Sequence, residues 1–155
     1  MNIYRRMVTA LAASLVIVGL AGCDNPDEKS KTFTRMENGV GLVFTYHYVG
    51  DKVLRQEANN TIPYQTIGAA NQEQARALIE PMRSVYLDVK GVEQSIDYKD
   101  SEALEHLSVD FTRADMSELC KLPGSMVTNC ALQEVSMSVS VSEKLLAEQG
   151  FTEVK

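Results

Sequence analysis

Apolar and polar side chains alternate along the chain after residue 31, a pattern that predicts β-strands. Residues 32–37 have strand-like composition and precede Asn38-Gly39, a dipeptide that strongly favours a two-residue hairpin turn. The alternation is clearest over residues 40–49, and Gly50-Asp51 predicts a second turn. Residues 52–62 continue as a third strand, whose more polar pattern indicates a sheet edge or one solvent-facing side.

A helical repeat replaces the alternation at residues 72–89. Asn71 followed by Gln74 resembles a capping box, and Lys90-Gly91 predicts the helix end. Pro81 lies inside this pattern and is expected to kink the helix rather than end it. The predicted inward stripe consists of Ala75, Leu78, Ile79, Met82, Val85, Tyr86 and Val89.

The remaining chain contains two further strands and two further helices by the same reasoning. Residues 92–98 and 103–111 alternate as strands, the second with Leu107, Val109 and Phe111 inward, and residues 113–122 can form a short helix. Ser140 and Glu143 form a capping box for a last helix, with Val141, Leu145 and Leu146 inward and an end at Gly150-Phe151.

These elements predict an α+β fold. One domain over residues 32–155 would bury the apolar stripes economically as a mainly antiparallel sheet of about five strands with helices packed on one face.

Composition and charge exclude several classes of protein. The chain has 155 residues, with 15 Lys+Arg against 21 Asp+Glu and a net charge of −6, so it lacks the positive charge that nucleic-acid binding needs. It is too short for a TIM barrel and lacks the Gly-rich fingerprint of a dinucleotide-binding fold. We therefore predict no nucleic-acid partner and no cofactor.

The amino terminus has the organisation of a lipoprotein signal. Arg5 and Arg6 precede an apolar run over residues 7–20, which is shorter than the ~20 residues that span a bilayer. The run ends in Leu20-Ala21-Gly22-Cys23, a lipobox. We expect residues 1–22 to be removed and Cys23 to carry an S-diacylglycerol group and an N-palmitoyl chain, so that the protein is anchored to the membrane. The alternatives are a conventional cleavage site near Cys23 and an uncleaved anchor helix.

The residues that follow Cys23 predict where the domain is held. Residues 23–31 are polar without apolar periodicity and are expected to form a solvated tether. Asp24 resembles the signal that retains enterobacterial lipoproteins in the inner membrane, which predicts a lipid-anchored protein on the periplasmic face of the cell membrane.

The two remaining cysteines predict a disulfide. Cys120 and Cys130 lie close in sequence in a chain expected to be exported to an oxidising compartment. A redox-active or metal-binding pair is the alternative, although the spacing is not C-x-x-C and no histidine lies beside it.

Candidate catalytic and metal-binding residues are few. His47 and His106 are the two histidines, both in predicted strands, and no G-x-S-x-G motif accompanies them. If their strands were neighbours, the two histidines with Asp97 or Glu105 could hold a transition metal. We otherwise expect sheet-surface histidines and predict no enzymatic activity.

Acidic and aromatic groups have structural explanations as well as functional ones. The acidic residues are expected to form solvated faces rather than a calcium loop, because the glycine and the alternating oxygens of such a loop are missing. The aromatic residues are expected to pack in the core rather than to line a ligand cleft. The acidic set is Asp97, Asp100, Glu102, Glu105, Asp110, Asp115 and Glu118, and the aromatic set is Phe44, Tyr46, Tyr48, Tyr86 and Tyr98.

Four segments of the chain belong together: the lipobox at Cys23, the sequence YHYVGDKV at 46–53, Val109-Asp110-Phe111, and SEKLLAEQGF at 142–151. Together they resemble the YehR-like family of small, uncharacterised bacterial lipoproteins. The resemblance covers the whole chain and implies lipidation, an envelope location and an α+β domain, and it brings no catalytic residue with it.

Two functional hypotheses follow. The first is a binding or adaptor lipoprotein that captures an envelope protein or a small ligand through an exposed strand or sheet face. The second is a small metal-dependent enzyme or metal-binding factor that uses His47 and His106.

Overall fold

The computed structural model describes residues 27–122 and 137–155, which form a six-stranded antiparallel sheet with the order β4-β5-β3-β2-β1-β6. The α+β class and the antiparallel pairing are as predicted, with six strands in place of about five. The strands are β1 (Lys29–Glu37), β2 (Val40–Val49), β3 (Lys52–Pro63), β4 (Val92–Tyr98), β5 (Glu102–Asp110) and β6 (Thr152–Val154). The helices are α1 (Gln72–Arg83), α2 (Met116–Leu119) and α3 (Val139–Glu148), and a 3-10 turn covers Tyr64–Ile67.

The first hairpin follows the sequence prediction closely. Asn38 and Gly39 have φ angles of 50° and 86°, the left-handed conformations that a tight turn between antiparallel strands requires. Strand β1 begins at Lys29, inside the segment that we expected to be a tether. Residues 29–31 pair with Tyr48, His47 and Tyr46, because β2 extends far enough to satisfy their backbone groups.

Strand β3 is not at a sheet edge, and of the two predicted alternatives the solvent-facing side is the one observed. It pairs with β2 on one side and with β5 on the other, so it lies in the middle of the sheet. A central strand tolerates these polar side chains because the residues on one face reach solvent, while Asn60 on the other face donates to Glu105. Strands β4 and β6 are the edges.

The strand register defines two faces of the sheet. One transverse row runs through Phe33, Phe44, Ala58, Leu107 and Gln94, and we call its side the apolar face. Because successive residues of a strand point to opposite sides, the neighbouring row belongs to the other side, which we call the polar face. That row consists of Thr34, Val43, Asn59, His106 and Ser95.

Two buried clusters form the core. The first joins Phe33, Tyr46 and Val53 of the sheet to Val139 and Leu146 of α3 and to Phe151. The second joins Ala75 and Ile79 of α1 to Tyr64, Ala69 and Ala103. The strand residues of both clusters belong to the apolar register.

Helix α1 ends earlier than predicted, and much of its apolar stripe is uncovered. It ends at Arg83 rather than at residue 89, and Asp88 then takes a φ of 68°, which no helix can continue. Of the seven stripe residues, Ala75 and Ile79 are buried, whereas Leu78, Met82 and Val85 are exposed. Fewer residues of the stripe are therefore buried in the core than the sequence pattern predicts.

The N-cap of helix α3 lies two residues before the predicted one. Ser138 is the N-cap, and its hydroxyl accepts from the Val141 amide (3.2 Å). Asp51 fixes this start, because its carboxylate accepts from the Ser138 hydroxyl (2.6 Å) and from the Ser140 amide (2.9 Å). Val141 is consequently exposed rather than inward.

The carboxyl end of α3 has the predicted geometry. Gly150 has a φ of 85°, and the Phe151 amide donates to the Leu146 carbonyl at 2.9 Å, as in a Schellman motif. Leu146 and Phe151 are both buried in the first cluster, so this turn returns the chain to the sheet as β6. Helix α2 is shorter than the predicted 113–122 because Asp115 caps it and its last residue is Leu119.

Candidate binding face

The polar face presents an open array of hydrogen-bonding side chains on three adjacent strands. Arg55 and Asn59 of β3, His106 of β5 and Ser95 of β4 are exposed and point to this side. Their backbones lie within the sheet, so the positions of these groups are set by the strand register rather than by a loop.

Asn59 and His106 form the centre of this array. They are cross-strand partners, and His106 Nδ1 donates to Asn59 Oδ1 over 2.8 Å. This bond holds the imidazole on the exposed surface. The pair therefore presents a fixed amide and a fixed ring to solvent.

A second group of polar residues lies on the same face nearer to β1. His47 Nδ1 is 3.3 Å from Glu28 Oε1, and His47 Nε2 is 3.6 Å from Glu57 Oε1. Arg55 Nε lies 3.4 Å from the same Glu57 oxygen. The carboxylates of Glu28 and Glu57 thus lie beside a histidine and an arginine on this part of the face.

The structure does not bring His47 and His106 together, and the metal-site hypothesis built on them is wrong. Strand β3 lies between their strands, and their partners on it are Arg55 and Asn59. Two strand spacings and four residues along β3 place the two histidines about 16 Å apart. Within the described residues, no group of three His, Cys, Asp or Glu side chains is placed to hold a metal ion.

Several of the acidic residues have local structural roles. Asp115 caps α2 by accepting from the Ser117 amide (2.8 Å), and the hydrogen bonds from Ser117 hold the pKa of Asp115 below its ordinary value. Asp110 accepts from the Thr112 amide (2.9 Å), and Asp97 pairs with Lys99. None of these contacts resembles a calcium loop.

A polar network on the apolar face was missed by the sequence reasoning. Glu105 accepts from Asn60 Nδ2 (2.8 Å) on one neighbouring strand and from Gln94 Nε2 (2.5 Å) on the other. Burial, and then the charge of Glu105, raise the pKa of Tyr86. The signal in the sequence was that Asn60 and Gln94 occupy inward positions of alternating strands, and it becomes visible only with the register.

Of the aromatic set, Phe44, Tyr46 and Tyr48 belong to the first core cluster and Tyr98 to the second. Phe44 stacks on Phe151 with ring centroids 5.0 Å apart, and Phe33 meets the edge of Tyr46 at 6.0 Å. Tyr98 packs against the second cluster, and its hydroxyl donates to Glu80 Oε1 over 3.0 Å. Burial, together with that bond, raises the pKa of Tyr98 to about 12.

The remaining predicted site residues lie at or beyond the limits of the described chain. Cys120 is the C-cap of α2, while its predicted partner Cys130 is outside the described residues. Cys23 and Asp24 are outside them as well. The disulfide, the lipidation and the retention signal therefore stay predictions. No helix in the described ranges is long and apolar enough to span a bilayer.

Comparison with known proteins places the chain in a family. Residues 29–152 match the family described as "Protein of unknown function (DUF1307)". The chain belongs to the DUF1307 family. This match, together with the YehR relatives of the chain, confirms the predicted resemblance to YehR-like lipoproteins.

The relatives of this DUF1307 chain match it over its full length. It is 37% identical to the "Uncharacterized lipoprotein Lin0239" of Listeria innocua, over 100% of this chain and 99% of that protein. It is 31% identical to the "Uncharacterized lipoprotein YehR" of Escherichia coli, over 100% of both chains. None of these names describes an enzymatic activity.

Two solved structures share the architecture of this DUF1307 domain. The NMR structure of E. coli YehR superposes with a TM-score of 0.73 at 31% identity, over 83% of this chain and 91% of that one. An NMR structure of a Streptococcus pneumoniae TIGR4 protein gives 0.58 at 15% identity, over 99% of this chain and 100% of that one. The second likeness is one of fold alone.

Proposed function

We propose that this protein is an envelope lipoprotein, anchored by lipid on Cys23, that binds an envelope protein or a small ligand through the polar face of its sheet. The observation that carries the binding role is the exposed array on β3, β5 and β4, centred on Asn59 and His106. The lipoprotein names of the full-length relatives support the anchor.

The anchor requires removal of residues 1–22 and modification of Cys23. An S-diacylglycerol group and an N-palmitoyl chain supply three acyl chains, and each buried methylene contributes about 0.8 kcal/mol. Such an anchor is close to permanent. Asp24 places the protein in the inner membrane, on its periplasmic face. Fractionation of membranes from a Gram-negative host would test this step, because the Asp24→Ser variant should move to the outer membrane while the parent does not.

The helices leave the polar face open in this proposal. Residues Phe33, Tyr46 and Ala103, which the helices contact, all lie on the apolar side of the register. We therefore place α1 and α3 on that one face. A sheet covered on a single side keeps its other side available to a partner.

The chemistry of the polar face fits recognition better than catalysis. His106 bonds an amide, and His47 lies between two carboxylates, so neither arrangement is that of a base aligned with a nucleophile. Donors and acceptors fixed on a rigid sheet are well placed for selective hydrogen bonding. The hydrogen-bonding side chains of this face favour a polar partner.

Site-specific crosslinking in living cells tests the binding face. A photoreactive residue replaces Asn59 or Ser95 on the polar face, and a matched control replaces the exposed Lys144 on α3. We expect a discrete adduct from the two sheet positions and none from the helix position, and mass spectrometry would identify the partner. Adducts that form equally from all three positions, or from none of the sheet positions, would contradict the proposed face.

Cys120 and Cys130 are proposed to form a disulfide that closes the segment after α2. The oxidising compartment that an exported lipoprotein enters supports this pairing. A bridge over so short a loop contributes about 2 to 3 kcal/mol to the free energy of unfolding in the chain-entropy estimate.

A further inference from the structure

An exposed apolar patch lies on the last turn of α1 and the segment that joins α1 to β4. Met82, Val85 and Leu87 form it, with exposed fractions of 59%, 41% and 50%. Charged residues of both signs flank the patch: Arg83, whose Nη1 lies 3.4 Å from Glu80 Oε2, and Asp88 and Lys90.

The patch lies on a part of the chain, helix α1 and the segment after it, that leads to the end of the sheet where β4 begins. Helix α1 starts beside the far end of β4, where Gln72 Nε2 donates to the Tyr98 carbonyl (3.1 Å). The chain then returns to the start of β4, and the Gly91 carbonyl accepts from the Asp110 amide (2.8 Å). Helix α1 and the joining segment therefore run along β4 toward the end where β4 begins.

The amino-terminal strand starts at the same end of the sheet. Lys29 pairs with Tyr48 at the end of β2, and Val49 pairs with Lys52 at the start of β3. Val92 pairs with Val109, which pairs with Gln56 near the start of β3. We call this the anchor-side end, because the chain leaves it toward Cys23.

The chain between the anchor and the sheet is short. Cys23 precedes Lys29 by only six residues, which span at most about 21 Å when fully extended. If Cys23 carries lipid, the bilayer is always within reach of the anchor-side end. A tethered surface of this kind is at high effective concentration, so a weak apolar contact is enough for docking.

We infer that Met82, Val85 and Leu87 dock onto the lipid surface itself and orient the domain on the bilayer. This inference rests on the proposed anchor at Cys23. The three apolar side chains enter the boundary between headgroups and acyl chains, and Arg83 and Lys90 keep their charges at the headgroup level. In this orientation the polar face of the sheet stays accessible to a partner beside the docked domain.

The absence of Trp from the sequence allows a direct test with single-Trp variants. Met82→Trp and Leu87→Trp probe the patch at two independent sites. Met36→Trp is the matched control, because Met36 is also an exposed methionine (70%) but lies beside the β1–β2 turn, at the opposite end of the sheet. The full-length lipidated protein is reconstituted into phosphatidylcholine vesicles with and without brominated acyl chains.

We expect brominated lipid to quench the emission of Met82→Trp and Leu87→Trp by about half and to leave Met36→Trp unchanged, as for side chains that enter the acyl boundary. If brominated lipid changed the emission of all three variants equally in vesicles that carry the protein, the docking would be overturned and the anchor would stay intact. A blue shift of Met82→Trp that appears without lipid and grows with protein concentration would assign the patch to a second copy and also overturn it. Failure of the protein to float with the vesicles would instead refute the anchor.

Discussion

Replacing Tyr46 with Phe should stabilise the protein, because the Tyr46 hydroxyl is buried without a hydrogen-bond partner among the described residues. The side chain is 0% exposed and lies in the first core cluster against Phe33. A buried hydroxyl with no partner keeps a desolvation cost of about 1 to 3 kcal/mol. We expect Tyr46→Phe to raise the free energy of unfolding by about 1 kcal/mol, the lower end of that range, and Tm by about 4 °C for a domain of this size.

The same substitution has a second signature at alkaline pH. Burial raises the pKa of Tyr46 above its ordinary value of 10.0. The unfolded chain therefore loses this proton at a lower pH than the folded protein does, so the parent loses stability as the pH rises above about 10. Phe does not titrate. The advantage of Tyr46→Phe should widen by about 1.4 kcal/mol between about pH 8 and pH 11.

Urea unfolding followed by circular dichroism at both pH values measures the two effects. Tyr98→Phe is the control, because it removes a hydroxyl that donates to Glu80 and should cost about 1 kcal/mol near pH 7. If Tyr46→Phe instead destabilised the protein near pH 7, the hydroxyl would have a partner, and if the advantage did not widen at high pH, the pKa of Tyr46 would not be raised in the folded protein. Either result would refute the corresponding part of the reasoning.

Three other changes test separate parts of the fold. Gly91 has a φ of 78°, and a Cβ there would lie 2.8 Å from the Ala114 amide nitrogen, so Gly91→Ala should lower the unfolding free energy by about 3 kcal/mol. Gly50→Ala, at φ 61° with open space around it, should cost only about 1 kcal/mol, and equal losses in urea melts would contradict the steric argument. Hydrogen bonds from Ser138 and Ser140 lower the pKa of Asp51 in the folded protein. The contribution of Asp51 to folding stability is therefore present above its ordinary pKa of 3.8 and is lost as the pH falls through the lower folded-state pKa. Asp51→Asn should reduce the loss of unfolding free energy at acid pH, and an unchanged pH dependence would exclude this role of the Asp51 carboxylate. Reduction of the parent should lower the unfolding free energy by about 2 to 3 kcal/mol, but should leave a Cys120→Ser, Cys130→Ser double variant unaffected. An equal response of the two proteins would argue against the bridge.

Elements whose sequence signals are local were the ones that could be predicted. The turn at Asn38-Gly39 and the alternation over β2 require nothing beyond neighbouring residues, and both are observed. The Gly150-Phe151 end of α3 is also local, because the conformation of Gly150 and the contact of Phe151 lie within one turn.

Predictions that depended on the tertiary structure were less successful. The polar residues of β3 left open a sheet edge or one solvent-facing side, and only the strand order decides for the second, with Asn60 facing inward through its bond to Glu105. The start of α3 is set by Asp51, which is distant in sequence from Ser138. Strand β6 has three exposed residues and no pattern, so only its pairing with β1 reveals it.

The candidate site shows the same division. The sequence marked His106 as a sheet-surface residue, and the structure places it on the exposed polar face. The contact with Asn59 depends on the register between β3 and β5, which the sequence cannot fix. The separation of His47 from His106 depends on strand order, which no local pattern encodes.

Mass spectrometry of the mature protein from bacterial membranes tests the central claim most directly. The account predicts that the first residue is Cys23 and that its amino-terminal peptide carries the mass of a diacylglyceryl group and an amide-linked acyl chain. A free thiol at Cys23, or a mature chain that retains residues before it, would contradict the lipid anchor on which the proposed function and the docking surface depend.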